Sequence, residues 1–150
     1  MKWSLCSFDQ LTLDQLYAIL ALRTDVFVVE QACPYPEIDG KDPASYHLFA
    51  EEAGEMIAYL RILPAGLSYE EASIGRVVIR GSHRGRGLGR PMMQEAIDYI
   101  VQDLQESQIK IGAQAHLEDF YRSLGFEPVS EVYLEDGIPH LDMLYVKPAL

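Results

Sequence analysis

Basic side chains are scarce in this 150-residue sequence: 12 Lys and Arg stand against 23 Asp and Glu, a net charge of −11. Nucleic acid and anionic membrane surfaces, which need a basic face, are thereby excluded as expected partners. Cysteine is scarcer still. Cys6 and Cys33 lie 27 positions apart with no CxxC pair, so neither a disulfide framework nor a zinc knuckle is expected, and both read as reduced packing thiols in a cytoplasmic setting. No histidine cluster or HExxH spacing points to a metal. Long apolar runs are also missing: the longest, Leu16 to Leu22, falls far short of the ~20 residues that span a bilayer. Residues 1–10 lack the apolar core of a secretory signal. With no repeat and no linker, and with 49% apolar and 23% charged residues, the chain reads as one globular domain over 1–150.

What is present reads as an α/β pattern. Thr12 followed by Gln15, with Leu11 and Leu16 flanking, forms a capping box and hydrophobic staple that should start a helix. Its end is blurred by β-branched Val26, Val28 and Val29. Residues 31–45, with three prolines and the acids Glu37, Asp39 and Asp42, form a loop too long to be a mere connection. Segments 46–51 and 55–63 predict an antiparallel hairpin, 74–79 a short strand, 88–104 an amphipathic helix and 109–113 a strand. A short helix over 117–124 should end at Gly125, with further strands near 129–133 and 140–146. Hairpins and crossovers together imply a mixed sheet.

The most informative segment is Arg84-Gly85-Arg86-Gly87-Leu88-Gly89-Arg90, between a predicted strand and a predicted helix. Helix N-termini carry unsatisfied N–H groups and the positive end of the dipole, and glycines admit a diphosphate close to them. Pro91 suits the first helical turn. From Ser73 to Gln94 there is no acidic residue, while Arg76, Arg80, Arg84, Arg86 and Arg90 supply five of the 12 basic groups. Such an island must pair with local carboxylates or with a bound polyanion. A dinucleotide fingerprint is excluded because its third glycine position holds Arg90, and the Gly-Lys of a Walker loop is absent.

Arg84-x-x-Gly87-x-Gly89 after a strand resembles the acetyl-CoA signature of the GCN5-related N-acetyltransferase (GNAT) superfamily. Phe120-Tyr121-x-x-x-Gly125-Phe126 resembles a second element of the same superfamily, in the same order. Cys33-Pro34-Tyr35, Glu37-Ile38-Asp39-Gly40 and Glu135-Asp136-Gly137-Ile138-Pro139-His140 are similar to the ElaA-type subgroup. The resemblance implies a GNAT acyl-CoA N-acyltransferase fold: a mostly antiparallel, splayed sheet flanked by helices, with acetyl-CoA as co-substrate lying in the gap between strands 74–80 and 109–114. It implies that backbone groups of Arg84, Gly85, Arg86, Gly87, Leu88, Gly89 and Arg90 hold the diphosphate. Val77, Val78 and Ile79 would pair with the pantetheine amides, and Gln114 would touch the cofactor arm.

Transfer to an amine needs a proton acceptor and a group that protonates sulfur. Tyr121 is the candidate acid. No carboxylate lies on the central strand, so Glu30, Asp39, His47 and His140 are the candidate bases, while Arg23, Gln31, His47 and His140 are the residues expected near the acceptor. The acids of loop 31–45 are expected to attract a cationic amine, on a small molecule or a protein. Two other readings remain at this level: an acyl-homoserine lactone synthase, which shares the fold, and a CoA-binding module without catalysis. A homodimer is the commonest soluble assembly to expect.

Overall fold

A computed structural model describes residues 1–149. Strand β1 (Lys2–Ser7) leads to helix α1 (Leu13–Arg23), capped by Thr12, whose hydroxyl accepts from Gln15 N while the Gln15 side chain accepts from Thr12 N. Beyond Arg23 the helix widens into π-type turns over Thr24–Glu30, closed by Gln31 N to Val26 O at 3.0 Å, where the β-branched residues sit. After loop 31–45, β2 (Tyr46–Glu52) and β3 (Glu55–Leu63) form the expected hairpin, followed by β4 (Ser73–Ile79) and α2 (Gly89–Asp98). Next come β5 (Gln108–Gln114), α3 (Glu118–Ser123), β6 (Phe126–Pro128), β7 (Tyr133–Glu135) and β8 (Ile138–Val146). The expected strand over 129–133 is displaced: pairing occupies 126–128 and 133–135, and Ser130 Oγ accepts from Asp142 N in between. Strand β1 is an addition to the sequence reading.

Strands β1-β2-β3-β4 form one antiparallel sheet, and β5-β8-β6 with β7 on β8 form another. The parallel share of the expected mixed sheet reduces to one bridge, Ala72 with Ile109, beside Lys110 N donating to Ala72 O at 2.9 Å. Past that point β4 and β5 diverge. The cause lies in β4, where Arg76 and Val77 together face the single residue Leu60, and Arg76 takes φ +52°. A bulge of this kind bends its strand and adds twist, turning the rest of β4 away from β5.

β2 and β3 are buried on both faces, which explains their near-continuous apolar sequence. Leu48, Ala50, Leu60 and Ile62 pack with Met92, Met93, Ala96 and Ile97 of α2. Phe49 and Tyr59 pack on the opposite side with Ile19, Leu22 and Val26. Helix α3 ends at Gly125, whose φ of +104° suits glycine, and an added Cβ there would lie 3.0 Å from Tyr145 Cε2. Gly137 has φ +76° with nothing near its missing Cβ. Replacing Gly125 with Ala should therefore cost about 2–3 kcal/mol, and Gly137 with Ala only about 1 kcal/mol, read as shifts in the urea midpoint.

Candidate active site

The splay between β4 and β5 opens a cleft of about 870 Å³, walled by Val26 to Gln31, the bulged stretch of β4, the end of β5, α3 and the β7–β8 turn. At its base lies a charge network on the α1 face of β2 and β3. Arg23, Arg61 and Arg76 meet Glu37, Asp39 and Asp42, three charges of each sign. Arg23 Nε and Arg76 Nε both donate to Glu37 Oε2 at 2.7 Å, and Tyr35 donates its hydroxyl to Glu37 Oε1 at 2.9 Å. Arg23 Nη1 also donates to Asp42 at 2.7 Å, and Arg61 grips Asp39 through both Nη atoms. His47 sits beneath, with Nε2 donating to Asp42 O at 3.0 Å and Nδ1 accepting from the Tyr59 hydroxyl at 2.6 Å.

This network corrects three expectations. Arg23 and His47, expected near the acceptor, are both 0% exposed and lie outside the cleft, their polar atoms consumed by loop 31–45 and, for His47 Nδ1, by Tyr59. Asp39 lines the cleft, yet it is poorly suited to accept a proton. Burial would raise its pKa, but the hydrogen bonds from Arg61 and Lys41 and the field of Arg76 outweigh that and hold the carboxyl well below the usual range. The acids of the loop, expected to attract a cationic amine, are already matched by arginine.

Four of the five island arginines find carboxylates too: Arg76 in the network, Arg80 with Glu55 at 3.8 Å, Arg84 with Glu30 at 2.6 Å and Arg86 with Glu52 at 3.6 Å. The Arg84 and Arg86 pairs are about half exposed and weak. Arg90 instead donates to Ser123 Oγ at 2.7 Å and lies over the Phe120 ring. What stays open for an anion is the backbone. Among the described residues, none of the N–H groups of Gly85 to Arg90 donates to a protein acceptor. Gly85 and Gly87 have φ of +81° and +72° with free space where Cβ would be, so a diphosphate fits against this loop. Arg84 and Gly89 line the cleft itself, while Gly85, Arg86, Gly87, Leu88 and Arg90 form the loop outside its lining.

Val77, Val78 and Ile79 face the cleft from β4, and Gln114 does so from the end of β5. Gln31, Glu30 and His140 line it as well. Tyr121 projects from α3 into the same space, its ring wedged edge-on between Phe120 and Phe126. Its hydroxyl makes no hydrogen bond among the described residues, and burial pushes its pKa up to about 12, so at neutral pH it is a proton donor without a partner. The sequence reading missed Tyr35, Arg61 and Tyr69 in the cleft wall, together with the pairing partners that fix Arg76.

Two outcomes follow from the network. The conformation of Arg76 costs a β-branched or bulky residue most and glycine least. Arg76→Gly should thus retain more stability than Arg76→Ala, by about 1 kcal/mol in denaturant melts. Acid should weaken the fold in two stages. His47 is held below its ordinary value by burial, so the unfolded chain binds the extra proton and stability declines as pH falls below ~6.5. Asp42 is also lowered: burial opposes the shift, and Arg23 and Arg61 overcome it. Stability from Asp39 and Asp42, present above ~3.9, is lost as pH falls below that value. Thermal melts from pH 8 to about 3 read both stages, and a single late stage would contradict the role of His47.

Comparison with known proteins places this geometry. A family model described as an acetyltransferase (GNAT) domain matches residues 16–147. Protein ElaA of Escherichia coli is 42% identical over 145 residues, 95% of each chain. Its crystal structure superposes with a TM-score of 0.91, covering 97% of this chain and 99% of that one, at 41% identity. A crystal structure of an acyl-CoA N-acyltransferase from Pseudomonas aeruginosa gives a TM-score of 0.92 at 44% identity with the same coverage. A CoA-dependent acyl-homoserine lactone synthase, 17% identical with a TM-score of 0.78 over 96% of this chain and 82% of its own, shares the fold alone. By the family model and these relatives, the chain belongs to the GNAT family of acyl-CoA N-acyltransferases, on its ElaA-like branch.

Proposed function

We propose that the chain transfers an acetyl group from acetyl-CoA to a primary amine, carried by a small molecule or by a protein side chain or N-terminus, in the cytoplasm. The observation that carries this reading is an unpaired strand edge and an unpartnered tyrosine hydroxyl in one cleft, next to a loop of unsatisfied N–H groups that reaches the cleft at Arg84 and Gly89. The N–H groups of residues 85–90 suit a diphosphate, and the β4 edge at Val77, Val78 and Ile79 suits the amides of a pantetheine arm laid beside it as an added strand. Gln114 offers a further amide from the facing strand.

In the reaction the amine nitrogen forms a bond to the thioester carbonyl carbon, the C–S bond breaks and the thiolate takes a proton. Tyr121 is suited to supply that proton. Its hydroxyl is desolvated, protonated over the working pH range and free to turn toward sulfur.

Calorimetry and thiol release from acetyl-CoA test the two halves separately. Gly87→Val should weaken acetyl-CoA binding at least ~10-fold, because a β-branched residue resists φ +72° and intrudes on the cradle. Tyr121→Phe should leave binding intact and lower turnover by about 100-fold. Binding without thiol release from any amine in a panel would favour a CoA-binding module, and unaltered turnover in Tyr121→Phe would remove the tyrosine from the chemistry.

A further inference from the structure

The acyl-transfer chemistry lacks a proton acceptor, and we infer that His140 is that base, with Glu135 behind it as the outlet to solvent; the inference rests on the acyl-transfer reading above. The other three candidates are engaged elsewhere. Asp39 is gripped by Arg61 and Arg76, His47 is sealed beneath loop 31–45, and Glu30, with a side chain 47% exposed, stands beside Arg84 and Gly81 at the glycine loop, on the side given to the diphosphate. His140 lines the cleft, and its side chain is 11% exposed. In the β5–β8 ladder it stands opposite Gln114, the residue from which the chain turns through Ala115–Leu117 into α3 and Tyr121. The two ends of the proton path thus line the same cleft.

Three contacts fix the imidazole. Nδ1 lies 2.7 Å from Ile138 O, and a carbonyl oxygen only accepts, so Nδ1 carries hydrogen and the neutral ring keeps its lone pair on Nε2. The ring stacks on Tyr133, with centroids 6.2 Å apart and planes 22° apart. Tyr133 is held in turn by its hydroxyl, which donates to Asp142 Oδ1 at 2.7 Å. Glu135 Oε2 lies 3.6 Å from Nε2, at ion-pair distance, and its side chain is 60% exposed. Once Nε2 is protonated, a carboxylate with access to water stands beside it. The titratable groups facing the ring are Glu135 and Tyr133 of β7, with Asp142 of β8 behind Tyr133. The neighbouring turn adds Asp136, whose carbonyl accepts from Cys33 Sγ at 3.5 Å.

The protons balance as follows. An ammonium acceptor gives one proton to Nε2 and becomes a neutral amine, whose nitrogen bonds to the thioester carbon as the C–S bond breaks. Tyr121 protonates sulfur and is restored by the second proton that nitrogen loses as the amide forms. Imidazolium passes the first proton to Glu135 and water, so each turnover yields amide, CoA thiol and one released proton.

The test follows thiol release from acetyl-CoA between about pH 6 and 9.5 with four primary amines: an alkylamine, a diamine, an amino-acid amide and a lysine-containing peptide. His140→Gln should lower kcat about 100-fold at neutral pH, and the deficit should shrink as pH climbs toward the amine's own ionisation near ~10. Acetyl-CoA affinity by calorimetry should be unchanged. Glu135→Gln, at an exposed position, should lower kcat at neutral pH by a smaller factor, about 3–10-fold. A His140→Gln profile that overlays the wild type would overturn the assignment, as would the same neutral-pH deficit in His116→Gln, the other cleft histidine, instead. Absence of thiol release by the wild-type protein with all four amines would overturn the acyl-transfer reading and this role with it.

Discussion

One carboxylate holds the architecture of the cleft together: Glu37, whose Oε2 is shared by Arg23 at the end of α1 and Arg76 in the bulge of β4. Through it a helix end, a long loop and a deformed strand become a single body. The arrangement is costly to assemble, since Arg23, Glu37, Asp42 and Arg61 are buried and Arg61 Nε finds no partner among the described residues, and it holds because each guanidinium still meets two carboxylates and the charges cancel. Removing one of the four buried members strands its partners, whose burial then opposes folding by about 3–5 kcal/mol. That asymmetry explains why the loop of residues 31–45, with little regular structure, is fixed against the sheet.

The bulge is where this fixation turns into function. A residue other than glycine at φ +52° is strained, and Arg76 is kept there by its hydrogen bonds to Glu37 and its position over the Tyr35 ring. The strand then peels away from β5 and leaves an edge free along one wall of the cleft. Opposite stand α3 and the end of β5, tied to β8, so in the proposed reaction the two sheets supply different parts: a binding edge from one, side chains for chemistry from the other. The surface charge separates in the same way. Exposed arginines near the glycine loop make weak pairs, which the proposed diphosphate would exchange, whereas Arg61 and Arg76 in the cleft wall are committed to structure.

Much of this was legible in the sequence, and the reasons for the rest are physical. The start of α1 was readable from Thr12 and Gln15, and the strand–loop–helix passage at residues 74–98 from the glycines between two periodic segments, because these are local patterns with local causes. Two motifs in the right order carried the fold. Loop acids were misread because sequence shows a charge but not its partner: Glu37 meets Arg76 across 39 positions. Arg23 and His47 were expected near the acceptor for the same reason, since burial is decided by where β2 and β3 lie, not by residue type. Strand β1 alternates only Trp3 and Leu5 with polar neighbours, too short a pattern to separate from a tail. The π-type turns after α1 had a hint in Val26, Val28 and Val29, although β-branching alone does not distinguish a widened helix from an ended one.

The central claim is that the charge network preforms the acyl-binding edge before any ligand arrives. Crystal structures of the free protein and of its complex with CoA test it most directly. The account predicts the diphosphate within hydrogen-bond distance of the N–H groups of residues 85–90 and the pantetheine along Val77 to Ile79. It also predicts that Arg76 stays at positive φ on Glu37 in both structures. A CoA bound elsewhere, or an edge that forms only on binding with Arg76 released from Glu37 in the free protein, would contradict it.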